Sequence, residues 1–191
     1  RFESRGLGDV YKRQIKINGQ PIDKETVVDF VNQHLETLEA GNYSFFEATV
    51  GMAFSSFAQA QVDVAIIEVG LGGRLDATNI ITPILSVITH ISKDHQQFLG
   101  HTIEAIAGEK AGIIKQKVPV VLGQNEKTVK KVILEKAKST SSTVFFANQT
   151  ESYTTDLLGD YQKENLATAY MAIQALTAVS YTHLRAHETR T

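Results

Sequence analysis

The segment VDVAIIEVGLGGRLDATN joins an apolar run to residues that can do chemistry. The run ends at Glu68, and a loop rich in glycine follows, GLGGRLDATN, which we call the glycine loop (residues 70–79). A carboxylate at the end of a buried strand is a common Mg²⁺ ligand in domains that hydrolyse nucleotides. Gly72 and Gly73 permit positive φ and a close approach of the backbone to an anion. The segment therefore indicates a metal or phosphate site, and a plain ion pair between Glu68 and Arg74 is the structural alternative.

A second group of polar residues follows the next apolar run, ILSVIT (residues 84–89). The chain continues as HISKDHQQFLG, which places Asp94 and His95 a few residues after that run. If the two runs are neighbouring strands, these side chains reach the same edge of the sheet as Glu68. A carboxylate and a neutral imidazole at that edge can bind a metal or a phosphate, and a histidine of a surface loop is the plainer alternative.

Lys110 lies between two glycines, Gly108 and Gly112, in the segment IEAIAGEKAGIIK. Glycine inside a helix costs about 1 kcal/mol relative to alanine, so two of them within one turn indicate that another group approaches closely. A lysine amine beside bound metal ions can lose its proton more readily and become reactive. Lys115 and Lys117, in contrast, are interpreted as solvated lysines.

The elements that position these residues alternate between strand-like and helix-like patterns. Asp23 is a predicted N-cap for a helix that Gly41 ends, and Ser44 with Glu47 predicts a capping box for the next helix. Predicted strands lie at IKING, 63–68, 84–89, 118–122 and 143–146, and predicted helices at about 23–40, 45–61, 102–115, 127–138 and 162–178. This alternation predicts an α/β fold, a three-layer, doubly wound domain with a mainly parallel sheet.

Composition narrows the class of protein. The chain has 191 residues, is 42% hydrophobic and carries a net charge of −2, which is typical of a globular domain and not of a nucleic-acid-binding or polybasic membrane surface. It contains no cysteine, which excludes disulfides and thiolate metal sites. No apolar run reaches the roughly 18 residues that a membrane span needs. We therefore expect a cytoplasmic protein without nucleic-acid or membrane partners.

The two ends differ from the middle. Residues 1–13 and 180–191 are rich in arginine, whereas residues 14–73 contain none. We interpret both ends as tails that are not native to the protein, comparable to an expression tag. This interpretation leaves residues 14–179 as the domain.

Three motifs together resemble folylpolyglutamate synthase, often bifunctional as dihydrofolate synthase, within the Mur-ligase-like superfamily. The motifs are EVGLGGRLDATN, ISKDHQQFLGHTIEAIAGEKAGIIK and GDYQKENLATAYMA, in that order. The resemblance implies the ATP-binding central domain of such a ligase, with a P-loop-NTPase-like fold. It also implies a reaction in which ATP activates a carboxylate of folate or dihydropteroate as an acyl phosphate, and L-glutamate then displaces phosphate. The full-length enzyme would be a monomer that uses ATP and Mg²⁺.

The resemblance further implies roles for single residues. Lys110 and His95 would be catalytic, and Lys110 would be carbamylated. The implied Mg²⁺ ligands are Glu68, His95 and Lys110. The implied nucleotide-binding residues are Gln162, Asn165, Gly72, Gly73 and Asn79. Tyr161 stands where the family pattern usually has histidine, which leaves the adenine contact open.

The family's P-loop is missing from the chain, because no G-x-x-x-x-G-K-[ST] pattern occurs in it. We therefore expect an internal part of a ligase that lacks the P-loop and the C-terminal domain, has a sheet incomplete at its N-terminal edge and is inactive by itself. Two alternatives stay open: a nucleotide-binding protein without catalysis, and a Mur-type ligase for a peptidoglycan precursor. The glycine loop resembles the folate branch specifically.

Overall fold

The computed structural model describes residues 15–148, 159 and 161–188, with side chains as far as residue 178. The chain divides into two compact units, residues 1–68 and residues 69–191. In its described part, the first unit consists of a hairpin and two helices. The second unit contains a parallel sheet and helices.

The hairpin of the first unit is formed by β1 (Lys16–Ile17) and β2 (Gln20–Pro21), which pair antiparallel. Asn18 and Gly19 join them, with φ of +51° and +79°. Two successive positive φ angles are characteristic of a type I′ turn, which Asn-Gly favours. The strand predicted at IKING is therefore confirmed, and it belongs to a hairpin.

Helices α1 (Lys24–Ala40) and α2 (Phe45–Gln59) begin where local signals predicted. Asp23 caps α1, because its Oδ1 accepts a hydrogen bond from the backbone N–H of Thr26 at 2.7 Å. That hydrogen bond holds the pKa of the Asp23 carboxyl below its ordinary value. Gly41 follows the last residue of α1, as expected.

The capping box predicted for α2 is present. Ser44 Oγ accepts from the backbone N–H of Glu47 at 3.2 Å, and Glu47 Oε2 accepts from the backbone N–H of Ser44 at 2.7 Å. The Ser44 hydroxyl also donates to the carboxylate of Glu47, which lowers the pKa of Glu47 from its ordinary value. The start of α2 is thus fixed by hydrogen bonds between two residues that lie three positions apart.

The strand predicted at residues 63–68 is wrong. These residues are irregular and have no strand partner within the described part of the chain. Val64 and Ile66 are 64% and 92% exposed. The apolar pattern indicated a buried strand, but a strand also needs a neighbour that satisfies its N–H and C=O groups. Glu68 therefore ends an exposed, irregular segment.

The sheet of the second unit has three strands, β3 (Ser86–Ile88), β4 (Val120–Leu122) and β5 (Val144–Phe146). They lie in the order β3-β4-β5 and both pairs are parallel. All three predicted strands of this region are present, although each is shorter than predicted. The α/β fold with a parallel sheet is confirmed.

Helices cover both faces of this sheet. The helices of the second unit are α3 (Gln96–Leu99), α4 (Ile103–Ala111), α5 (Lys127–Ser139) and α6 (Tyr161–Glu188), together with a short 3₁₀ helix at Ala77–Ile80. Ile106 of α4 and Ile133 of α5 are fully buried in one cluster with Val120 and Leu122. Val121 points to the opposite face and is also fully buried, and α6 packs against β4 and β5. A central strand that is buried on both faces has an uninterrupted apolar sequence, and β4 has one.

The backbone of α6 continues past the predicted end near residue 178 and reaches Glu188. Residues 1–13, interpreted as the other foreign tail, lie outside the described residues. The non-native origin of both ends stays a prediction. None of the helices in the described ranges is long and apolar enough to span a membrane.

Glu47→Gln is expected to weaken the acid sensitivity of α2. Because the pKa of Glu47 is lowered in the folded chain, its carboxylate stabilises the fold fully above the ordinary pKa, and this contribution disappears as the pH falls through the lowered pKa. Far-ultraviolet circular dichroism from pH 7 to about pH 3 should show a larger loss of helix in the wild type than in Glu47→Gln. Glu39→Gln, at an exposed position of α1, is the control. Identical acid profiles for all three chains would contradict the prediction.

Candidate active site

The glycine loop packs backbone to backbone against the C-terminal end of α4. The N–H of Arg74 donates to the carbonyl of Glu109 at 2.8 Å. A Cβ on Gly73 would lie 2.8 Å from the carbonyl oxygen of Glu109, and a Cβ on Gly112 would lie 2.5 Å from the Cα of Arg74. Only glycine fits at these two positions unless the backbone moves.

The other glycines of this region differ in what they contact. Gly72 has φ of +71°, as expected, and a Cβ there would lie 2.7 Å from Cδ2 of Leu99. Protein atoms thus fill the space beside Gly72 and Gly73, and the contact with a nucleotide that was predicted for these glycines stays a prediction. The close approach predicted for the glycines around Lys110 is confirmed at Gly112. It is wrong at Gly108, where a Cβ would meet no atom within 4 Å.

Arg74 forms a two-pronged ion pair with Glu109. Its Nε and Nη2 donate to Oε1 of Glu109 at 3.1 and 3.0 Å. The side chains are 56% and 26% exposed, so the pair contributes about 1 kcal/mol or less to stability. The fork geometry instead fixes orientation. The alternative partner, Glu68, belongs to the first unit, and that pairing stays a prediction.

Two further side chains tie the loop to the helix end. The Nδ2 of Asn79 donates to the carbonyls of Arg74 and Gly112 at 3.1 and 3.2 Å. The Nζ of Lys115 donates to the carbonyl of Asn79 at 2.7 Å. The interpretation of Lys115 as a solvated lysine is therefore wrong, since its amine holds the loop. These contacts and the ion pair together form the clamp, which comprises Arg74, Asn79, Glu109, Gly112 and Lys115.

Asp76 organises the glycine loop internally and was missed by the sequence analysis. Its Oδ2 accepts from the N–H of Leu71 and its Oδ1 from the N–H of Thr78, both at 2.9 Å. The Asp-x-Thr spacing, which is typical of an Asx turn that caps a helix, is the signal that identifies such a residue. Asp76 thus shapes the loop before the clamp attaches it to α4.

A buried amide fixes the segment that leads to the predicted histidine, and this residue was also missed. Asn125, 7% exposed, accepts from the N–H of Ile91 at 2.8 Å. Its Nδ2 donates to the carbonyls of Thr89 and Gly123 at 2.9 and 3.1 Å. Asn125 therefore joins the carboxyl ends of β3 and β4. No local sequence signal marks it, because two of its three partners, Ile91 and Thr89, lie 34 and 36 positions away.

His95 and Lys110 both belong to the second unit. His95 is exposed and adopts the left-handed conformation, with φ of +55°, at the start of the four-residue helix α3. Lys110 is half-buried in the last turn of α4. Neither side chain has a hydrogen-bond partner among the residues that the structure describes. Asp94, beside His95, accepts a hydrogen bond from the hydroxyl of Ser92.

Glu68, the third predicted metal ligand, is exposed and belongs to the first unit. Within the described ranges, no three His, Cys, Asp or Glu side chains are grouped closely enough to hold a metal ion. Of the three predicted metal ligands, only Glu68 and His95 are of these residue types, and the third is Lys110. The metal site remains a prediction.

The predicted adenine contacts lie at the start of α6. The Nδ2 of Asn165 donates to Oε1 of Gln162 at 3.2 Å, and both side chains are at least partly accessible. Tyr161, in front of them, is 62% exposed. Asn79 is different, because its amide nitrogen already donates to two carbonyls of the clamp. Nucleotide binding by these residues stays a prediction.

A family model described as the Mur ligase middle domain matches residues 24–166. The chain belongs to this family. Among curated relatives, the dihydrofolate synthase/folylpolyglutamate synthase of Bacillus subtilis (strain 168) is 35% identical over 91% of the chain and 48% of the relative. The chain thus spans about half the length of that relative.

Solved structures agree with this assignment. The apo form of L. casei FPGS has a TM-score of 0.77 at 34% identity, over 87% of this chain and 47% of that one. The FPGS-AMPPCP-folate complex has a TM-score of 0.79 at 35% identity, over 90% of this chain and 48% of that one. These similarities support the predicted resemblance to folylpolyglutamate synthase.

Gly112→Ala and Gly108→Ala are expected to change the stability of this Mur ligase domain in opposite directions. Alanine at 112 collides with the backbone of Arg74 and should lower the free energy of unfolding by about 1–3 kcal/mol. Alanine at 108 meets open space and should raise it by about 1 kcal/mol through helix propensity. Urea unfolding of both variants tests the prediction. Equal effects of the two substitutions would contradict the close approach.

The left-handed backbone at His95 predicts an unusual order of variants. His95→Gly should be more stable than His95→Ala by about 1 kcal/mol, because only glycine adopts this conformation without strain. At Lys131, an exposed position within α5, the order should reverse, since alanine favours the helix. Urea unfolding of the four variants measures both differences. A His95→Ala variant at least as stable as His95→Gly would show that His95 carries no backbone strain.

Proposed function

We propose that this chain is the central part of an ATP-dependent ligase that joins L-glutamate to a folate. The observation that carries the proposal is the similarity to folylpolyglutamate synthases along most of the chain, including a relative solved with AMPPCP and folate. The substrate carboxylate attacks the γ-phosphorus of ATP, which gives an acyl phosphate and releases ADP. The amine of glutamate then attacks the acyl carbon, an amide bond forms and phosphate leaves.

Glu68, His95 and Lys110 are the magnesium ligands of this proposal. The donor chemistry fits, because Glu68 offers hard carboxylate oxygens and His95 an imidazole nitrogen, and both side chains are exposed. Neither has a competing partner within the described part of the chain. When bound, Mg²⁺ supplies positive charge that stabilises the transferred phosphoryl group.

Lys110 takes part as a carbamate. The ammonium group of Lys110 first loses one proton. The neutral amine then attacks carbon dioxide, a carbon–nitrogen bond forms as one carbon–oxygen π bond opens, and a second proton leaves, so that a cation becomes an anion with two oxygens. Its half-buried position in the last turn of α4 and the lack of a described hydrogen-bond partner leave the amine available for this reaction.

The nucleotide contacts of this proposal come from the glycine loop and from α6. Gln162 and Asn165 carry amide groups that both donate and accept, which suits the edge of adenine. In the glycine loop, Gly72 and Gly73 are proposed to contact the nucleotide through their backbone, since protein atoms occupy the space beside their Cα atoms. The named relatives act on folates, and this favours the folate branch over a peptidoglycan-precursor ligase.

The reading frame that contains this chain, recovered from the source DNA by long-read sequencing, provides the test. The encoded protein should release ADP only when tetrahydrofolate and glutamate are both present, and mass spectrometry should find one added glutamyl residue on the folate. His95→Ala and Lys110→Ala should lower kcat/KM by about a hundredfold or more, because each removes a group that stabilises developing charge. Lys117→Ala, at an exposed position, is the matched control.

The 191-residue chain alone should not hydrolyse ATP, since it contains no P-loop pattern. ADP release by the encoded protein that does not depend on glutamate, or product formed on a peptidoglycan precursor, would refute the proposed function.

A further inference from the structure

The clamp, part of which lies in the glycine loop proposed to contact the nucleotide, surrounds the backbone of Lys110. The carbonyl of Glu109, just before Lys110, accepts from the N–H of Arg74 at 2.8 Å. The carbonyl of Gly112, two residues after it, accepts from the side chain of Asn79 at 3.2 Å. Both flanks of Lys110 are therefore bonded to the glycine loop.

These bonds add donors at the C-terminal end of α4, where the carbonyl of Glu109 also accepts from the N–H of Gly112 at 3.2 Å. The last carbonyls of an α-helix lack partners within the helix, and α4 ends at Ala111. Arg74 and Asn79 supply N–H donors to carbonyls at this end. The guanidinium of Arg74 also places positive charge near the negative end of the helix dipole. The loop thus acts as a C-terminal cap that comes from a distant part of the sequence.

Steric contact adds a second restraint on the same turn. A Cβ on Gly73 would lie 3.0 Å from the carbonyl oxygen of Lys110 itself, so the loop backbone and the Lys110 backbone are in direct contact. On the other side, Gly112 touches the backbone of Arg74. The turn that carries Lys110 has little freedom to shift while the loop stays docked.

We propose that Arg74 and Asn79 are positioning residues for Lys110. They hold the last turn of α4 against the glycine loop and so keep the Lys110 amine in its half-buried position. The catalytic significance of this role rests on the proposed function, which makes Lys110 a reactive group. The positioning itself is a property of the 191-residue chain and can be measured without activity.

Competitive acetylation of the intact chain measures the position of the amine. Trace acetic anhydride labels each lysine according to its accessibility, and peptide mass spectrometry gives the ratio of labelling at Lys110 to that at Lys127, which is exposed on α5. Arg74→Ala and Asn79→Ala should each raise this ratio about threefold or more, because the freed turn opens locally. Lys138→Ala, which removes an exposed cation from α5, should leave it unchanged.

Rescue separates positioning from a general loss of structure. The double variant Arg74→Glu/Glu109→Arg restores an ion pair with reversed charges and should bring the labelling ratio back toward that of the wild type, whereas Glu109→Arg alone should not. Arg74→Lys keeps the positive charge but loses the two-pronged contact with Glu109. It replaces Arg74→Ala in the experiment if Arg74→Ala does not fold. The proposal is overturned if the labelling ratio is unchanged both in Asn79→Ala and in the Arg74 variant that folds (Arg74→Ala or Arg74→Lys). It is also overturned if the labelling ratio of the double variant equals that of Glu109→Arg alone.

Carbon-13 NMR with labelled bicarbonate distinguishes a failure of the proposed function from a failure of the positioning role. A carbamate signal that is lost in Lys110→Arg supports the reactive lysine. If the wild type shows no such signal while the labelling ratio shifts as expected, the carbamate is wrong and the positioning role stands. If the wild type shows the carbamate signal, and Arg74→Ala changes neither this signal nor the labelling ratio, the positioning role is wrong and the carbamate stands.

Discussion

The close contact between the backbones of the glycine loop and the end of α4 is the constraint on which the candidate site depends. Gly73 and Gly112 have no room for a side chain, so the two segments meet at a separation that other residues do not permit. The ion pair of Arg74 and the hydrogen bonds of Asn79 act on a geometry that these glycines make possible. Because an exposed ion pair contributes little energy, steric fit decides the arrangement and the polar groups refine it.

Two residues predicted to do chemistry are held by different means. Lys110 lies in a turn that is fixed from outside by the clamp. His95 follows a segment anchored by the buried amide of Asn125, and its own backbone adopts a left-handed conformation, as do five other non-glycine residues in the described part of the chain. Strained or externally restrained backbone is common where side chains must be presented in one orientation. Both observations agree with the roles proposed for these residues.

Features that depend on neighbours in the sequence could be predicted, and those that depend on distant partners could not. Asp23 and the Ser44–Glu47 box act within four residues, so their types and spacing are sufficient. Residues 63–68 have the composition of a buried strand but lack a described pairing partner. Likewise, nothing in the sequence near Lys115 indicates that its amine binds the carbonyl of Asn79, a residue 36 positions away.

The length of α4 gives the clamp a consequence for folding. This helix has nine residues, and isolated helices shorter than roughly 12–15 residues are at most marginally stable in water. It therefore requires tertiary contacts, and the glycine loop supplies those at its C-terminal end. The contact between helix and loop closes the chain between Arg74 and Glu109, 35 positions apart, and this closure has an entropic cost. Neither segment is an independent unit of stability.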